Sequence, residues 1–524
     1  MDKILQRLRT VSPEALKGIR RGIEKESLRV RPEGTLALTE HPLALGSALT
    51  HAHITTDFSE SQLELITGVH TQVQACLDEL TQIHQVVYRA LGDELMWCAS
   101  MPCGLPADDV IPIGRYGRSN VGRMKTVYRT GLSHRYGRRM QMISGIHYNF
   151  SLPGNVWPLP DLGEPNEAYF ALIRNFRRNA WLLMYLFGAS PAVCETFVEG
   201  RPHELRELSS GTYYLPHATS LRMGRLGYQS DAQSNIAVSY NNLDNYAASL
   251  FDALTKPYPP YEAIGIHDGD DYRQLATSLL QIENEFYGKI RAKRVIHPGE
   301  RPLHALRERG VEYVEVRLMD LDPFCPIGID AATIRLLDVF LLHCLLESSP
   351  PDTPEEIAEI GRNQNRVAAR GREPGLRLER QGQQIGLREW GRQLTSECEP
   401  IATALDAAHG GTAYGDALSA AVNALHDPEL LPSAQVLREM QSRRGGSYVG
   451  FTVAQSLRHA GDLKHLALAQ EIEQQFVNLA RESIEEQQQL EAADTMPFEN
   501  YRQQYLAPQR LNAVPMRRQS ERSA

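Results

Sequence analysis

Acidic residues recur with strand-like spacing in two N-terminal segments of the chain. In RGIEKESLRV, Glu24 and Glu26 are two residues apart, so both side chains project from one face of an extended chain, about 7 Å apart. In TTDFSESQLELITG, a turn that carries Asp57 precedes a short strand in which Glu64 lies between two leucines and faces away from them. Like charges on a shared face repel each other unless a cation neutralises them.

Two later segments show the same alternation with other polar groups. In ISGIHYNFSL, His147 and Asn149 share one face and the apolar residues between them share the other. In VEYVEVRLMD, Glu315 and Arg317 lie opposite two valines and a leucine. Each predicted strand therefore has one polar face that must contact water or a ligand.

Carboxylates from several strands, together with one imidazole, form an oxygen-rich group that favours Mg²⁺ or Mn²⁺ over zinc. Magnesium bridges carboxylates to substrate phosphates, so a nucleotide is the natural ligand of such a cleft. Phosphoryl transfer also needs cationic side chains, and the candidates are Arg291, Lys293, Arg294 and Arg317. The sequence contains neither a GxxxxGKS/T loop nor a GxGxxG fingerprint, so metals would have to hold the nucleotide.

The remaining sequence must supply the elements that position these strands. Apolar residues recur every three or four positions in three predicted helices, 76–91, 167–186 and 331–346. The part after about residue 350 is rich in Ala, Gln, Glu and Leu and is predicted to be almost wholly helical. We therefore predict a catalytic sheet-and-helix region over 1–350, a helical lobe packed on it over 351–504, and a mobile tail over 505–524.

Composition is that of an ordinary folded protein. Apolar residues make up 42% and charged residues 23% of the 524 residues, which argues against a disordered or fibrous chain. The N-terminal residues contain no apolar core of signal-peptide length. The most apolar run, Leu336 to Leu346, is short and contains Asp338 and His343, which predicts a buried helix. We therefore expect a cytoplasmic protein without a transmembrane segment.

Cysteine usage and charge narrow the class of protein further. Seven cysteines, dispersed and odd in number, are typical of reduced thiols, and we expect Cys98 and Cys103 to act as small buried apolar residues. A net charge of −9 argues against general nucleic-acid binding. From Val110 to Pro160, however, there are eight Arg and Lys residues and no acidic residue. This basic segment could bind an anion or form a solvated loop, and the sequence leaves both interpretations open.

Long motifs over nearly the whole chain resemble the bacterial type 1 glutamate–cysteine ligases, also called γ-glutamylcysteine synthetases, of the glutamine-synthetase-like superfamily. The motifs occur in a fixed order: LKGIRRGIEKESLRV, LGSALTHAHITTDFSESQLELIT, MISGIHYNFSLP, YLFGASPAVC, LPHATSLRMGRLGYQS, QIENEFYGKIRAKR and VEYVEVRLMDLDPFCPIG.

The resemblance implies an α+β fold in which a curved antiparallel sheet forms a funnel-shaped active site, with packed helices outside and a mostly helical C-terminal part. It assigns the magnesium ligands to six residues, Glu24, Glu26, Asp57, Glu64, His147 and Glu315. Glu60 is left out of this set.

The resemblance also assigns residues to the substrates. The residues implied to line the pocket for a cysteine side chain are Phe58, Tyr128, Tyr228 and Tyr287. Arg222 would grip a substrate carboxylate with its planar fork, and Asn149 would also contact substrate. Arg291 and Arg317 would stabilise the transferred phosphoryl group, and Lys293 and Arg294 would contact the nucleotide.

The implied reaction joins the γ-carboxylate of L-glutamate to the amino group of L-cysteine through γ-glutamyl phosphate, with ATP as co-substrate, as the first step of glutathione synthesis. Mg²⁺ is the expected cofactor, with Mn²⁺ as an alternative. No nucleic-acid or membrane partner is expected. A monomer and feedback inhibition by glutathione are further expectations.

Two other functions remain open on the sequence alone. The first is a ligase of the same superfamily that joins glutamate to a different amine, and the predicted aromatic pocket discriminates against it. The second is a non-catalytic or sensor protein that has kept the fold. Intact acidic residues at every matched metal position argue against that second function.

Overall fold

The computed structural model describes residues 2–159, 161–227 and 238–512. The described strands, numbered along the chain, are β1 (Arg20–Val30), β2 (Ile54–Thr56), β3 (Gln62–Ile66), β4 (Leu95–Met96), β5 (Ile146–Ser151), β6 (Ala192–Cys194), β7 (Arg206–Ser209), β8 (Thr212–Tyr214), β9 (His267–Asp268), β10 (Asp271–Tyr272), β11 (Ile290–Lys293), β12 (Tyr313–Met319), β13 (Arg377–Arg380) and β14 (Gln383–Gly386). The main sheet is antiparallel, with strand order β11-β12-β5-β1-β3-β2, and β4 pairs with the end of β1.

Helices surround this sheet and make up most of the described chain after residue 330. They are Asp2–Leu8, Pro13–Lys17, Val73–Ala90, Asn120–Tyr136, Arg138–Gln141, Pro165–Asn179, Trp181–Phe187, Glu195–Val198, Leu243–Thr255, Pro259–Ile264, Pro302–Arg309, Ala331–Leu346, Pro354–Arg370, Leu387–His409, Ala413–His426, Pro432–Arg443, Tyr448–His465, Gln470–Ala493 and Phe498–Leu506. The helix predicted over 331–346 is confirmed, and the one predicted over 76–91 begins at Val73. The one predicted over 167–186 is two helices that meet at Ala180.

The main sheet has two chemically different faces because polar and apolar residues alternate along its strands. Ile23, Tyr148 and Val316 are completely buried on one face. The helix Val73–Ala90 packs on β1 and β3, and the helix Pro165–Asn179 packs on β11 and β12. The helix Ala331–Leu346 packs against both of these helices. The other face carries the predicted acidic residues.

A buried ion pair ties the main sheet to the helix Ala331–Leu346. Arg21 Nη2 lies 2.9 Å from Asp338 Oδ2, and neither side chain is exposed. The Tyr148 hydroxyl donates to Asp338 Oδ1 at 2.6 Å. A carboxylate is tolerated in this apolar helix because both of its oxygens have buried partners. The predicted buried helix is thus confirmed, and no helix in the described part of the chain is long and apolar enough to cross a membrane.

The C-terminal part is helical, as predicted, except for the hairpin of β13 and β14, which the composition did not indicate. It is joined to the N-terminal part by specific contacts: Ser47 N donates to Ser483 Oγ at 3.0 Å, and Asn120 Nδ2 donates to the Met496 carbonyl at 2.9 Å. Of the predicted tail, 505–512 is described and Leu511 is buried. Residues 513–524 lie outside the described residues.

The cysteine prediction is wrong for one pair. Cys103, in the segment after β4, and Cys194, at the end of β6, form a disulfide with a Cα–Cα distance of 5.2 Å. Sequence spacing did not indicate this pairing because 91 residues separate the two cysteines. Cys98 is a free and buried thiol, as expected for a small apolar residue.

Candidate active site

The register of the main sheet brings the predicted polar residues together on one face. Glu26 lies opposite Glu64 across β1 and β3, and Glu24 lies opposite His147 across β1 and β5. One strand further, Glu315 lies opposite Asn149 across β12 and β5. Directly opposed residues in an antiparallel pair have Cβ atoms about 5 Å apart, so these side chains must interact.

The centre of this face has the geometry of a metal site. Glu24, Glu64 and His147 each offer a ligand atom, and these atoms all lie within 4.8 Å of one another. His147 Nδ1 is 3.0 Å from Glu24 Oε2 and 3.7 Å from Glu315 Oε1, while His147 Nε2 is 3.4 Å from Glu26 Oε1. Several carboxylates around one imidazole form a donor set that suits Mg²⁺ or Mn²⁺.

One side of the cluster, here called the paired half, has its own cations. It consists of Glu315 with Lys293, Arg317 and His147. Glu315 is 3.1 Å from Arg317 Nη1 and 3.4 Å from Lys293 Nζ. Burial on its own raises the pKa of Glu315, but the charges of Lys293, Arg317 and His147 outweigh burial and hold that pKa well below its usual value.

The other side, here called the acidic half, consists of Glu26, Asp57 and Glu64 and has too little positive charge. Burial raises the pKa of Glu26, and the nearby Asp57 carboxylate raises it further. Burial likewise raises the pKa of Glu64 well above its usual value, with Asp57, Glu24 and Glu26 adding to the shift and Arg129 offsetting it only in part. Carboxylates that repel one another in this way are the groups a divalent cation would neutralise.

The turn before β3 holds Asp57 at the edge of this half. The Tyr116 hydroxyl donates to the Asp57 carbonyl at 2.9 Å, and Arg129 Nε donates to the same carbonyl. Asp57 N donates to the Gln62 carbonyl at 3.0 Å. All six predicted metal ligands therefore lie on or beside one face of the main sheet.

Glu60, which the prediction left out, has a different role. Its two carboxylate oxygens accept hydrogen bonds from the main-chain N–H groups of His41, at 2.9 Å, and Arg115. It therefore joins two loops.

The predicted cationic residues separate into two groups. Arg291 lies opposite Glu315 across β11 and β12, is buried, and donates to the carbonyls of Asn284 and Phe286. With Lys293 and Arg317, it forms a cationic border to the cluster. Arg294 instead donates to the Gly310 carbonyl at 2.8 Å and lies 3.5 Å from Glu312. The contacts described for Arg294 do not include the cluster.

Arg222 and Tyr287 lie on the side of the cluster near β11. Arg222 is buried, with Nη2 donating to the Arg317 carbonyl at 3.0 Å and Nη1 lying 3.6 Å from Asp320 Oδ1. The Tyr287 hydroxyl accepts a hydrogen bond from Gln141 Nε2 at 2.9 Å. Arg222 and Tyr287 line one small cavity with His147 and Arg317. The structure thus places a predicted carboxylate-binding arginine next to a predicted aromatic wall.

The other residues predicted to contact substrate are Phe58, Tyr128, Asn149 and Tyr228. Phe58 is only 1% exposed and belongs to the main apolar core. Burial raises the pKa of Tyr128 well above its usual value, and Glu285 and Tyr287 raise it further, so Tyr128 and Tyr287 are near neighbours. Asn149 Nδ2 donates to Glu24 Oε1 at 2.9 Å. The side-chain oxygen of Asn149, Oδ1, is buried without a hydrogen-bond partner in the described ranges. Tyr228 lies outside the described residues.

Four of the eight cations of the basic segment, Arg123, Lys125, Arg129 and Arg135, lie on the helix Asn120–Tyr136 rather than in a loop. Four arginines of the segment pair with acidic residues from elsewhere in the chain: Arg115 with Glu40, Arg118 with Glu491, Arg135 with Glu285 and Arg139 with Glu199. Lys125 and Arg129 both lie over the Tyr116 ring, at 5.1 and 4.5 Å from its centre. The charge of Arg129 acts to lower the pKa of Glu64, and the charge of Glu64 acts to raise the pKa of Lys125.

Sequence reasoning missed Lys289, which lines the same cavity as Arg222. A signal was present, because Lys289, Arg291 and Lys293 alternate and therefore share one face of an extended chain. Asp320, the partner of Arg222, was also missed. It follows β12 directly, and Ser220 Oγ and Ala189 N hold its carboxylate at 3.0 and 2.9 Å.

Comparisons with known proteins identify relatives over most of the chain. Residues 5–367 match the family model described as glutamate–cysteine ligase. The glutamate–cysteine ligase of Pseudomonas entomophila is 50% identical over 495 residues, covering 93% of each chain. That of Alcanivorax borkumensis is 48% identical over 504 residues, covering 94% of this chain and 96% of its own.

Two solved structures share the fold. The crystal structure of glutamate–cysteine ligase from Francisella tularensis in complex with AMP has a TM-score of 0.89 and 36% sequence identity, covering 93% of this chain and 97% of that chain. A bifunctional glutathione synthetase from Pasteurella multocida has a TM-score of 0.69 at 24% identity, covering 88% of this chain and 55% of that chain. The second likeness concerns the fold alone.

The mixed helix-and-sheet fold, with clustered carboxylates bordered by arginines, is therefore that of a ligase. More specifically, the chain belongs to the glutamate–cysteine ligase family.

Proposed function

We propose that the polar face of the main sheet binds divalent cations, ATP and both amino-acid substrates. As a member of its family, the chain catalyses the ATP-dependent formation of γ-glutamylcysteine, the first step of glutathione biosynthesis. The observation that carries the site assignment is the convergence of Glu24, Glu64 and His147 within 4.8 Å on three adjacent strands.

The residues that would hold Mg²⁺, or Mn²⁺ in its place, are Glu24, Glu26, Asp57, Glu64, His147 and Glu315. Their fit to a cation is supported by the raised pKa values of Glu26 and Glu64, which come first from burial and then from repulsion between carboxylates that a cation would relieve. Bound divalent cations would neutralise phosphate charge and orient ATP. The AMP complex of the Francisella tularensis relative supports a nucleotide site in this fold.

The first step in this proposal is attack by the γ-carboxylate of glutamate on the terminal phosphorus of ATP, which gives γ-glutamyl phosphate and ADP. Arg291 and Arg317 would stabilise the charge on the transferred group, since both border the cluster. Lys293 would contact the nucleotide from the end of β11. Arg294 would contact it only by turning away from the Gly310 carbonyl.

The second step is attack by the amino group of cysteine on the acyl phosphate, which releases phosphate. Arg222 would hold a substrate carboxylate, because its guanidinium is fixed by Asp320 and by the Arg317 carbonyl. Phe58, Tyr128, Tyr228 and Tyr287 would surround the cysteine side chain, and aromatic edges suit a polarizable thiol. Asn149 would contact substrate beside Glu24.

Further parts of the proposal concern the whole chain. The main sheet would curve into a funnel with this face at its base. The chain would divide into a catalytic region over 1–350 and a helical lobe over 351–504. It would work as a monomer in the cytoplasm, without nucleic-acid or membrane partners, and glutathione would inhibit it by feedback.

Product analysis with labelled glutamate tests both the substrates and the intermediate. With ATP, Mg²⁺, cysteine and glutamate carrying ¹⁸O in its γ-carboxylate, we expect γ-glutamylcysteine and phosphate that contains one ¹⁸O atom. The label moves because the attacking carboxylate oxygen remains on phosphorus when the amine displaces phosphate. Unlabelled phosphate would contradict the acyl phosphate, and faster ADP release with ammonia or a polyamine would favour the rival amine substrates.

A further inference from the structure

Among the described residues, a small cavity beside the acidic cluster is lined by three basic side chains and by no carboxylate. Arg222, Lys289 and Arg317 contribute the positive charge, and His147, Tyr287 and Met223 complete most of the wall. Several cations around one cavity destabilise one another unless an anion enters between them. The cavity is therefore suited to an anionic group.

Lys289 is the cation of this cavity for which the described part of the chain supplies no counter-charge. Arg317 has Glu315 at 3.1 Å, and Arg222 has Asp320 at 3.6 Å. Within the described ranges, no carboxylate forms an ion pair with Lys289, whose ammonium donates to Gln364 Oε1. Burial lowers the pKa of Lys289 to about 8, and Arg177 contributes to the shift.

The backbone fixes the place of Lys289. Arg317 N donates to the Lys289 carbonyl at 2.9 Å, so Lys289 extends the β11–β12 ladder by one residue. Gln364, on the helix Pro354–Arg370, is buried and holds the ammonium from the other side. A cation held in a partly buried place without a counter-charge costs folding free energy, and a bound anion would recover that cost.

We propose that Lys289 is a substrate-binding residue whose ammonium, together with the Arg222 guanidinium, receives the carboxylate of the amine substrate, cysteine. This inference rests on the proposed function. Tyr287 lines the same cavity and belongs to the proposed cysteine pocket, which favours cysteine over glutamate as the source of the carboxylate. Two cations on one carboxylate make the site selective for α-amino acids over simple amines.

Comparing cysteine with cysteamine, which has the same amine and thiol but no carboxylate, tests the inference. For Lys289→Met, we expect kcat/KM for cysteine to fall about 10- to 100-fold, while that for cysteamine stays within about threefold of the wild-type value. Lys289→Arg should recover part of the loss with cysteine because it restores the charge. The KM for ATP should not change.

Lys256→Met is the matched control, because Lys256 is 71% exposed and pairs with Asp252 on the surface. It should leave the ratio of cysteine to cysteamine activity unchanged. If Lys289→Met does not fold, Lys289→Gln provides the same comparison with a polar side chain.

Equal losses with cysteine and cysteamine would overturn the inference. The inference would also be overturned if Lys289→Met lowered kcat/KM for glutamate but not for 4-aminobutyrate, which lacks the α-carboxylate of glutamate. The Lys289 ammonium would then bind glutamate rather than cysteine. Failure of the proposed function would look different: the wild-type chain itself would release no ADP with glutamate, cysteine and Mg²⁺.

Discussion

The paired half and the acidic half of the cluster contain the same kind of side chain in opposite electrostatic situations. In the paired half, Lys293 and Arg317 lower the pKa of Glu315 although it is buried. In the acidic half, Glu26 is buried and Glu64 is half-buried, and burial together with the Asp57 carboxylate raises the pKa of both. The difference shows that the protein supplies its own positive charge on one side, and it supports the proposal that a bound cation neutralises the other.

Removing the carboxylate of the paired half should have the largest effect. In Glu315→Gln, Lys293 and Arg317 lose their counter-charge and a proposed metal ligand is lost, so we expect kcat to fall at least about 10³-fold. A coupled assay of ADP release at saturating substrates measures this. Glu486→Gln, an exposed site, is the control and should behave as wild type. Turnover within about tenfold of wild type would remove Glu315 from the site.

Removing a carboxylate of the acidic half should change the metal requirement more than the chemistry. For Glu64→Gln, we expect the Mg²⁺ concentration at half-maximal activity to rise about 10- to 100-fold, because an oxygen ligand is lost. The fall in kcat at saturating Mg²⁺ should be smaller than for Glu315→Gln. Titration of activity with Mg²⁺ measures both values. An unchanged Mg²⁺ requirement would mean that the two halves do not differ in the way proposed.

Without metal, Glu64→Gln and Glu315→Gln should change the free energy of unfolding in opposite directions, by about 1–2 kcal/mol each. Glu64→Gln removes repulsion and should raise the midpoint of thermal unfolding in EDTA at about pH 8. Glu315→Gln leaves two half-buried cations, Lys293 and Arg317, without this carboxylate and should lower it. Two shifts of the same sign would refute the electrostatic comparison.

The pH dependence of these shifts follows from the direction of each pKa. The folded pKa of Glu64 is raised, so its protonated form stabilises the fold, and this contribution is lost as pH rises through the folded pKa. The rise in the unfolding midpoint caused by Glu64→Gln should therefore be larger at about pH 8 than at about pH 5. The folded pKa of Glu315 is lowered, so its contribution is present at neutral pH and is lost as pH falls through the folded pKa. Unfolding midpoints in EDTA between about pH 5 and pH 8 measure the first trend, and midpoints below about pH 4.5 measure the second.

Alternation along each strand made the polar faces predictable, because side chains of an extended chain point to opposite sides in turn. It correctly placed Glu24 with Glu26 and His147 with Asn149. The prediction of Ala331–Leu346 as a buried helix also succeeded, since its apolar residues recur at helical spacing, its apolar run is too short to cross a membrane, and Asp330 caps its start.

Pairing between distant segments could not be predicted from local pattern. Nothing in the sequence indicates that Glu26 meets Glu64 or that Glu315 meets Asn149, because register depends on tertiary packing. The same reason hid the Cys103–Cys194 disulfide and the partners of the basic segment. Lys289 was overlooked although it alternates with Arg291 and Lys293, because its lack of a carboxylate partner among the described residues is visible only in a structure.

Strand β1 alternates acids on one face with Arg21 and Lys25 on the other, and this arrangement limits how the gene can change. Inserting or deleting one codon within the strand would exchange the two faces, placing ammonium and guanidinium groups among the clustered carboxylates and acids in the apolar interior. Changes in length should therefore be far less tolerated there than substitutions. In natural and laboratory lineages, variation in chain length should accumulate in the surface loops instead.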